Sequence, residues 1–335
     1  MSALVICTGG GIGDVLLATP VMRALRARFG DVVALTTRQH APVLEHNPDV
    51  AEIWCGRGSF RRDVARTKAR GFEAAVVTWA SLGAAALPYL ARVPLRAGQA
   101  RRPYSQLFTH RVAVRSEFGD RTTHWTQILL DFARALACDT PDATPRFVVT
   151  KAARTRARTL LAAANLRVPY IVLHPTRGIS AARERWPTAR LAELARVLAA
   201  HYGLAVVVTG GAEDRLISDA VATQGGALSL GGRTSITEFA ALAAEAHAVV
   251  AMDSGPMHVA AAVGAPTLGI FALQSDEPDR WAPLGARTAV VRATYPCPPG
   301  HRKETCPDFA CVAALDVREI VATLDRLLQN GAKSG

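Results

Sequence analysis

The sequence predicts an α/β protein made of two doubly wound, Rossmann-like domains, and three observations carry that prediction. Short, continuous apolar runs rich in β-branched residues recur between helical patterns, as strands of a parallel sheet covered on both faces do. The arrangement occurs once in each half of the chain. With 335 residues, half of them apolar, the chain exceeds the usual size of one domain and can bury two cores.

In the first half the runs are ALVIC (3–7), VVALTT (32–37), VAEIW (50–54), EAAVVTW (73–79) and HRVAV (110–114). In the second they are YIVLH (170–174), LAVVVTG (204–210), GALSL (226–230), AVVAM (248–252) and TLGIF (267–271), with helices expected over Pro187–Tyr202 and Ile236–Ala246 between them. The turn-rich stretch CDTPDATPRFVVT (138–150) precedes the strand at Tyr170, so the domains are expected over 1–155 and 156–315. Residues 316–335 should then hold a helix packed back on the body. Asp316 and Glu319 form a capping-box pattern, and Val317, Ile320, Val321, Leu324, Leu327 and Leu328 make one apolar stripe. Ligands of such sheets bind beyond the carboxyl ends of the strands, so two facing domains are expected to share one cleft.

Lys plus Arg number 39 against 28 Asp plus Glu, a formal charge of +11 that favours anionic partners. Aromatic residues are only 6%, which argues against a base-stacking platform, and no nucleic-acid partner is expected. The start, MSALVIC, reads as a buried strand and not as a signal peptide. The stretch Ser81 to Leu95 is too short to span a bilayer and is broken by Pro88, Arg92 and Pro94. A cytoplasmic protein is expected, with membrane contact no more than peripheral. Six scattered cysteines do not form a disulfide framework, and Cys7, Cys55 and Cys138 read as core residues.

The stretch CTGGGIGDVLLATP (7–20) invites comparison with the dinucleotide fingerprint G-x-G-x-x-G. Gly9 and Gly11 fit its first two positions, but Asp14 occupies the third, where a carboxylate would repel a pyrophosphate. Asp14 therefore reads either as a general base at the ligand edge or as a cap of the first helix. Thr19 and Pro20 read as an N-cap and first helical position, or as a kink in a helix already begun.

In AVVAMDSGPMHVAAAVGAPTLGIF (248–271) a buried strand runs into Asp253 and Ser254, then Gly255 and Pro256, then a short helix. Free amides and the helix dipole there favour an anion such as a diphosphate, with His258 close to it or buried for structural reasons. VTGGAEDRLISDA (208–220) sets Glu213 and Asp214 at a strand end, where an acid can accept sugar hydroxyls or simply begin a helix. HPTRGISAARERWP (174–187) brings Arg177, Arg183 and Arg185 into a loop, where guanidinium forks suit phosphate oxygens.

Taken together, GIGDVLLATPVMRALR, RWP, GGAED and DSGPMHVAAAVGAPTLGIF resemble glycosyltransferase family 9, the ADP-heptose:lipopolysaccharide heptosyltransferases. The resemblance runs from the first strand to the final helix. It implies a GT-B fold, with the acceptor held mainly by the first domain and the nucleotide sugar by the second. It also implies inversion at the sugar carbon without a catalytic metal or other cofactor, at the cytoplasmic face of the inner membrane. ADP-heptose or a related nucleotide sugar would be the donor and the lipopolysaccharide core the acceptor.

By the same resemblance Asp14 matches the family's proposed general base, with Gly13 beside it on the acceptor side. Thr176, Glu213, Asp253, Ser254, Gly255, Met257 and His258 fall to the donor. Many members have lysine two residues before the tryptophan of RWP. This chain has Glu184 there, so Arg183 or Arg185 takes the basic role. Arg61, Arg62, Arg101 and Arg102 are candidate partners for phosphates or acidic sugars of the acceptor.

The segment CPPGHRKETCPDFACVAALDVREIV (297–321) is similar to a cysteine-bearing region of several members, one branch of which holds iron with four cysteines. Here only Cys297, Cys306 and Cys311 are present, with His301 between them and no C-x-x-C pair, so no metal is expected. Three rivals remain at this stage. A family member could use another donor or a protein or natural-product acceptor; the chain could be a non-catalytic nucleotide-sugar sensor; or it could be a nicotinamide oxidoreductase, against which Asp14 argues.

Overall fold

The computed structural model describes residues 1–56, 58–176, 186–273, 275–298 and 306–332. The chain divides into two compact units, Met1–Val148 and Val149–Gly335.

The first unit holds strands β1 (Ser2–Ile6), β2 (Asp31–Thr36), β3 (Glu52–Cys55), β4 (Ala74–Val77), β5 (Leu95–Gln99) and β6 (His110–Val112). Its helices are α1 (Ile12–Leu17), α2 (Thr19–Phe29), α3 (Phe60–Arg70), α4 (Leu82–Leu90) and α5 (Trp125–Arg134). The sheet order is β3-β2-β1-β4-β5-β6, and every pairing is parallel. β1, buried along its whole length, lies centrally, with Val5 opposite Ala34 on one side and Val76 on the other. An uninterrupted apolar strand is what that position demands, because neither face meets water.

The second unit repeats the plan with β7 (Tyr170–His174), β8 (Ala205–Val208), β9 (Leu228–Ser229), β10 (Ala248–Met252), β11 (Thr267–Phe271) and β12 (Thr288–Arg292). Around them lie α6 (Lys151–Ala163), α7 (Thr188–Tyr202), α8 (Arg215–Gly225), α9 (Ile236–Glu245), α10 (Gly255–Ala262), α11 (Pro278–Trp281), α12 (Ala310–Ala314) and α13 (Val317–Ala332). The order is β12-β11-β10-β7-β8-β9, again all parallel. Counted from the first strand of each unit, both sheets follow 3-2-1-4-5-6, the dinucleotide-binding order. The chain thus has the GT-B fold, two Rossmann-like halves in sequence.

In that order the direction of winding reverses between the first and fourth strands, and loops leaving these two strands part to opposite faces. The crevice so formed is where ligands of open parallel sheets bind. It falls between β1 and β4 in the first unit and between β7 and β10 in the second.

The last helix, α13, packs on β11, β12 and α7 of the second unit. Val317, Ile320, Val321, Leu324 and Leu327 enter the core, and Asp316 Oδ1 accepts the Arg318 amide at 2.9 Å to close the first turn. Leu324 is fully buried, so its truncation to alanine costs about 2–5 kcal/mol.

Candidate active site

At the crevice of the first sheet, the loop after β1 carries Gly9 to Asp14 and the loop after β4 carries Thr78 and Trp79. These residues, with Cys7, Trp125 and Leu129, line a recess of about 220 Å³ counted to its open mouth. Asp14 lies in the first turn of α1, and its Oδ2 accepts the Gly11 amide at 2.7 Å. The carboxylate therefore does close the helix start. A carboxylate offers about four lone-pair sites, so that bond leaves acceptor capacity toward the recess.

The glycines make room for side chains of this site. A Cβ on Gly9 would lie 1.8 Å from the Trp79 ring, and Gly10 has φ +72°, with a Cβ there 2.3 Å from Asp14 Oδ2. The turn is thus shaped around Asp14 and Trp79. The helix begun at Ile12 ends at Leu17, and α2 begins at Thr19 with Pro20 in its first turn. Of the two readings of Thr19–Pro20, the break in a helix already begun is the observed one; Thr19 Oγ1 donates to the Leu16 carbonyl at 2.8 Å across it.

Burial pushes the Asp14 carboxyl above the ordinary carboxylate range, opposed by the Gly11 and Asp14 amides and by His40. Burial likewise pushes the His40 imidazole down, with Asp14 opposing. The Cys7 thiol, also in the recess, is pushed up to about 12 by burial and is neutral.

The candidate arginines follow β3 and β5 at the same edge of this sheet. Arg61 and Arg62 open α3, after β3, are exposed, and form no ion pair among the described residues. Arg101 and Arg102 follow β5. Arg102 pairs with Glu117 at 3.0 Å, and Arg101 lies over the Phe118 ring.

At the crevice of the second sheet, β10 delivers Asp253 and Ser254, and Ser254 is the N-cap of α10. Its backbone is extended, as a cap requires, yet its hydroxyl bonds no helix amide and is buried without a hydrogen-bond partner among the described residues. Helix geometry leaves the first-turn amides of Gly255 and Met257 without intrahelical acceptors, and Pro256 has none to offer. His258 is buried in that turn.

On the β7 side of the same crevice, Thr176 Oγ1 donates to Asp214 Oδ2 at 2.8 Å and lies 3.5 Å from His174 Nε2. His174 Nδ1 meets Thr209 Oγ1 at 3.1 Å, and complete burial lowers this imidazole to about 4, so it is neutral at pH 7. Thr176 is thereby tied to the GGAED loop, in which Glu213 is exposed. Arg177, Arg183 and Arg185 lie outside the described residues, as does His301.

Cys297, Cys306 and Cys311 pack against the second core as free thiols, and Cys306 Sγ accepts the Phe309 amide at 3.2 Å. No group of three or more metal-ligating side chains suited to a metal ion occurs among the described residues.

Several residues of these crevices escape sequence reasoning. Trp79 ends an apolar run and reads as core, although it is 40% exposed at the recess. Trp125 opens a helix with nothing in its neighbourhood to mark it. His40 and His174 act through partners distant in sequence, which no local pattern reveals, and the same holds for the bond that ties Asp214 to Thr176.

Two parallel sheets of one winding order, a carboxylate at one crevice and a helix start at the other, are the plan of the GT-B class, and the family match makes this chain a glycosyltransferase of that class. Residues 60–308 match glycosyltransferase family 9 (heptosyltransferase), and the chain belongs to that family. It is 26% identical over 301 residues to lipopolysaccharide heptosyltransferase 2 of Salmonella typhimurium, covering 84% of this chain and 85% of the relative. Among solved structures it is similar to a family 9 glycosyltransferase from Veillonella parvula, with TM-score 0.85, 18% identity and 98% and 97% of the two chains covered. It is also similar to the ADP-heptose lipopolysaccharide heptosyltransferase II of E. coli, with TM-score 0.81, 23% identity and 99% and 100% coverage.

Proposed function

We propose that this glycosyltransferase moves heptose from ADP-heptose to a hydroxyl of the lipopolysaccharide inner core, with inversion at the sugar carbon. The observation that carries the reading is Asp14, a half-buried carboxylate at the crevice of the first sheet with acceptor capacity left over from its cap. Similarity to a lipopolysaccharide heptosyltransferase and to an ADP-heptose lipopolysaccharide heptosyltransferase supports this choice of donor and acceptor. The first unit takes the acceptor and the second the nucleotide sugar.

In this mechanism Asp14 receives the proton of the acceptor hydroxyl as the oxygen attacks the anomeric carbon from the face opposite ADP. An aspartate is too weak to generate a free alkoxide, so proton transfer is late and coupled to C–O bond formation. The bond to ADP breaks with its electron pair leaving on the diphosphate. The α10 amides of Gly255 and Met257 and the Ser254 hydroxyl are aimed at that growing charge, which is where fixed donors contribute most. Arg183 or Arg185 adds a cation, Glu213 and Thr176 hold the nucleotide side, and Asp253 contacts the sugar. Gly13, Arg61, Arg62, Arg101 and Arg102 serve the acceptor.

The net charge of +11 supports peripheral contact with the anionic cytoplasmic face of the inner membrane. No helix among the described residues is long and apolar enough to cross a membrane.

The donor assignment is tested by calorimetry with ADP-heptose beside UDP- and GDP-sugars. ADP-heptose should bind at least about tenfold more tightly, a difference of about 1.4 kcal/mol. Tighter binding of a UDP- or GDP-sugar would overturn the donor and leave the fold assignment intact.

A further inference from the structure

We propose that His40 is a positioning residue for Asp14, the buried imidazole and the half-buried carboxylate taking up a single proton together and governing the acid limb of the reaction. The inference rests on the reading of Asp14 as the base.

The pairing follows from topology. β1 and β2 are parallel neighbours with Ile6 opposite Leu35, and the Cys7 amide extends the ladder to the Leu35 carbonyl at 2.9 Å. Their two following loops therefore leave the sheet side by side. The first carries Asp14. The second turns at Thr37, where the His40 amide donates to the Thr37 carbonyl at 3.1 Å, and its 3₁₀ turn Ala41–Val43 packs on α1.

His40 is thereby only 7% exposed, and its Nδ1 is buried without a hydrogen-bond partner among the described residues. Native proteins leave few such atoms, and a ring placed only to fill space needs no nitrogen there. What the ring does have is an electrostatic interaction with Asp14, each group favouring the charged form of the other. Burial pushes the carboxyl up and the imidazole down, which brings their proton affinities closer together.

Among the described residues the one charged group that acts on either member of the pair is the other. Asp14 is the one ionisable side chain of α1, and the Ala41–Val43 turn has none. Cys7 at the end of β1 is a neutral thiol, α5 faces the recess with Trp125 and Leu129, and Arg38 on the turn of His40 is exposed.

When the acceptor O–H bond breaks, its electron pair forms the new C–O bond and its proton goes to the pair. The proton then leaves to water as the site resets. Two arrangements, carboxylic acid with neutral imidazole and carboxylate with imidazolium, hold that one proton, so Asp14 is a better base than a lone aspartate.

The first test is NMR titration of the His40 imidazole in the full chain. Its midpoint should fall in Asp14→Asn, which removes the anion that supports the charged ring; an unchanged midpoint would overturn the pair. Should that variant fail to fold, the Asp14 carboxyl followed by ¹³C in His40→Gln must titrate at higher pH, and an unmoved titration overturns the pair equally. In the pH–rate profile, His40→Gln should move the acid limb upward by about half a unit or more, because the carboxylate loses its cation. A limb in its original place would contradict control by the pair, whereas a purely structural role would change melting and not the limb. If Asp14→Asn kept wild-type transfer, the base reading would fall while the imidazole midpoint still decided the pair.

Discussion

The Gly11 amide donates to Asp14 Oδ2 across 2.7 Å, so one carboxylate both closes the first turn of α1 and faces the recess beside Trp79. The two duties respond differently to substitution. Asparagine retains a carbonyl oxygen for the Gly11 amide and loses the negative charge. Because burial, the leading influence, raises the Asp14 pKa, the folded state holds this proton more tightly than the unfolded chain does. The stability contributed is complete below the ordinary carboxylate value and is lost as pH rises through the folded one. Asp14→Asn should therefore melt above wild type at pH 7, with the difference closing as pH falls through the raised folded value and gone below about 4. A lower melting temperature at pH 7 would show that the charged cap outweighs desolvation.

Gly9→Ala should strike the acceptor side alone. Its new methyl falls within the Trp79 ring, 1.8 Å from the nearest atom, and the indole has to leave its place at the recess. We expect kcat/KM for the acceptor to fall about 10- to 100-fold, as for other displacements of about 1 Å at a reacting site, with donor affinity unchanged. Adding Trp79→Ala relieves the clash, so the double variant should lose less than the sum of the singles. Additive losses would contradict this contact.

Ser254→Ala isolates the donor side. In the free protein the Ser254 hydroxyl has no partner to lose among the described residues, so melting without ligand should be unchanged or higher. A hydroxyl that bonds the diphosphate only on binding contributes about 0.5–1.5 kcal/mol, so donor affinity should weaken about 2- to 12-fold. Calorimetry decides this, and unchanged affinity would remove Ser254 from the donor contacts.

Arg61→Ala and Arg62→Ala should each raise the acceptor KM about 3- to 10-fold, the more so at low salt, because both side chains are exposed with no ion pair among the described residues. Arg102→Ala should change it less, since Glu117 already holds that guanidinium. Initial rates against acceptor concentration at two ionic strengths would measure both. Equal effects at Arg61, Arg62 and Arg102 would contradict the ranking.

The central strands are legible in the sequence because burial on both faces demands apolar runs, as in ALVIC, YIVLH and AVVAM. Two strands are not. β5 reads LRAGQ, with an arginine and a glycine that has the Phe108 ring packed on it, and β12 is an edge strand that does not need a fully apolar run. Asp14 stands out because a carboxylate replaces the third glycine of a familiar pattern. Its neighbours Trp79, Trp125 and His40 do not, since each reaches the crevice from a different strand or helix and only the winding order joins them. The Thr176–Asp214 bond spans 38 residues for the same reason.

The most direct measurement is to incubate the pure protein and its Asp14→Asn variant with ADP-heptose and a deep-truncated, Kdo-bearing lipopolysaccharide, following ADP release and acceptor mass together. One heptose should be added per ADP released, and both should fall in the variant by a factor of about 10²–10⁴, the usual contribution of a positioned base. ADP release with no gain in acceptor mass, or transfer by Asp14→Asn at the wild-type rate, would contradict it.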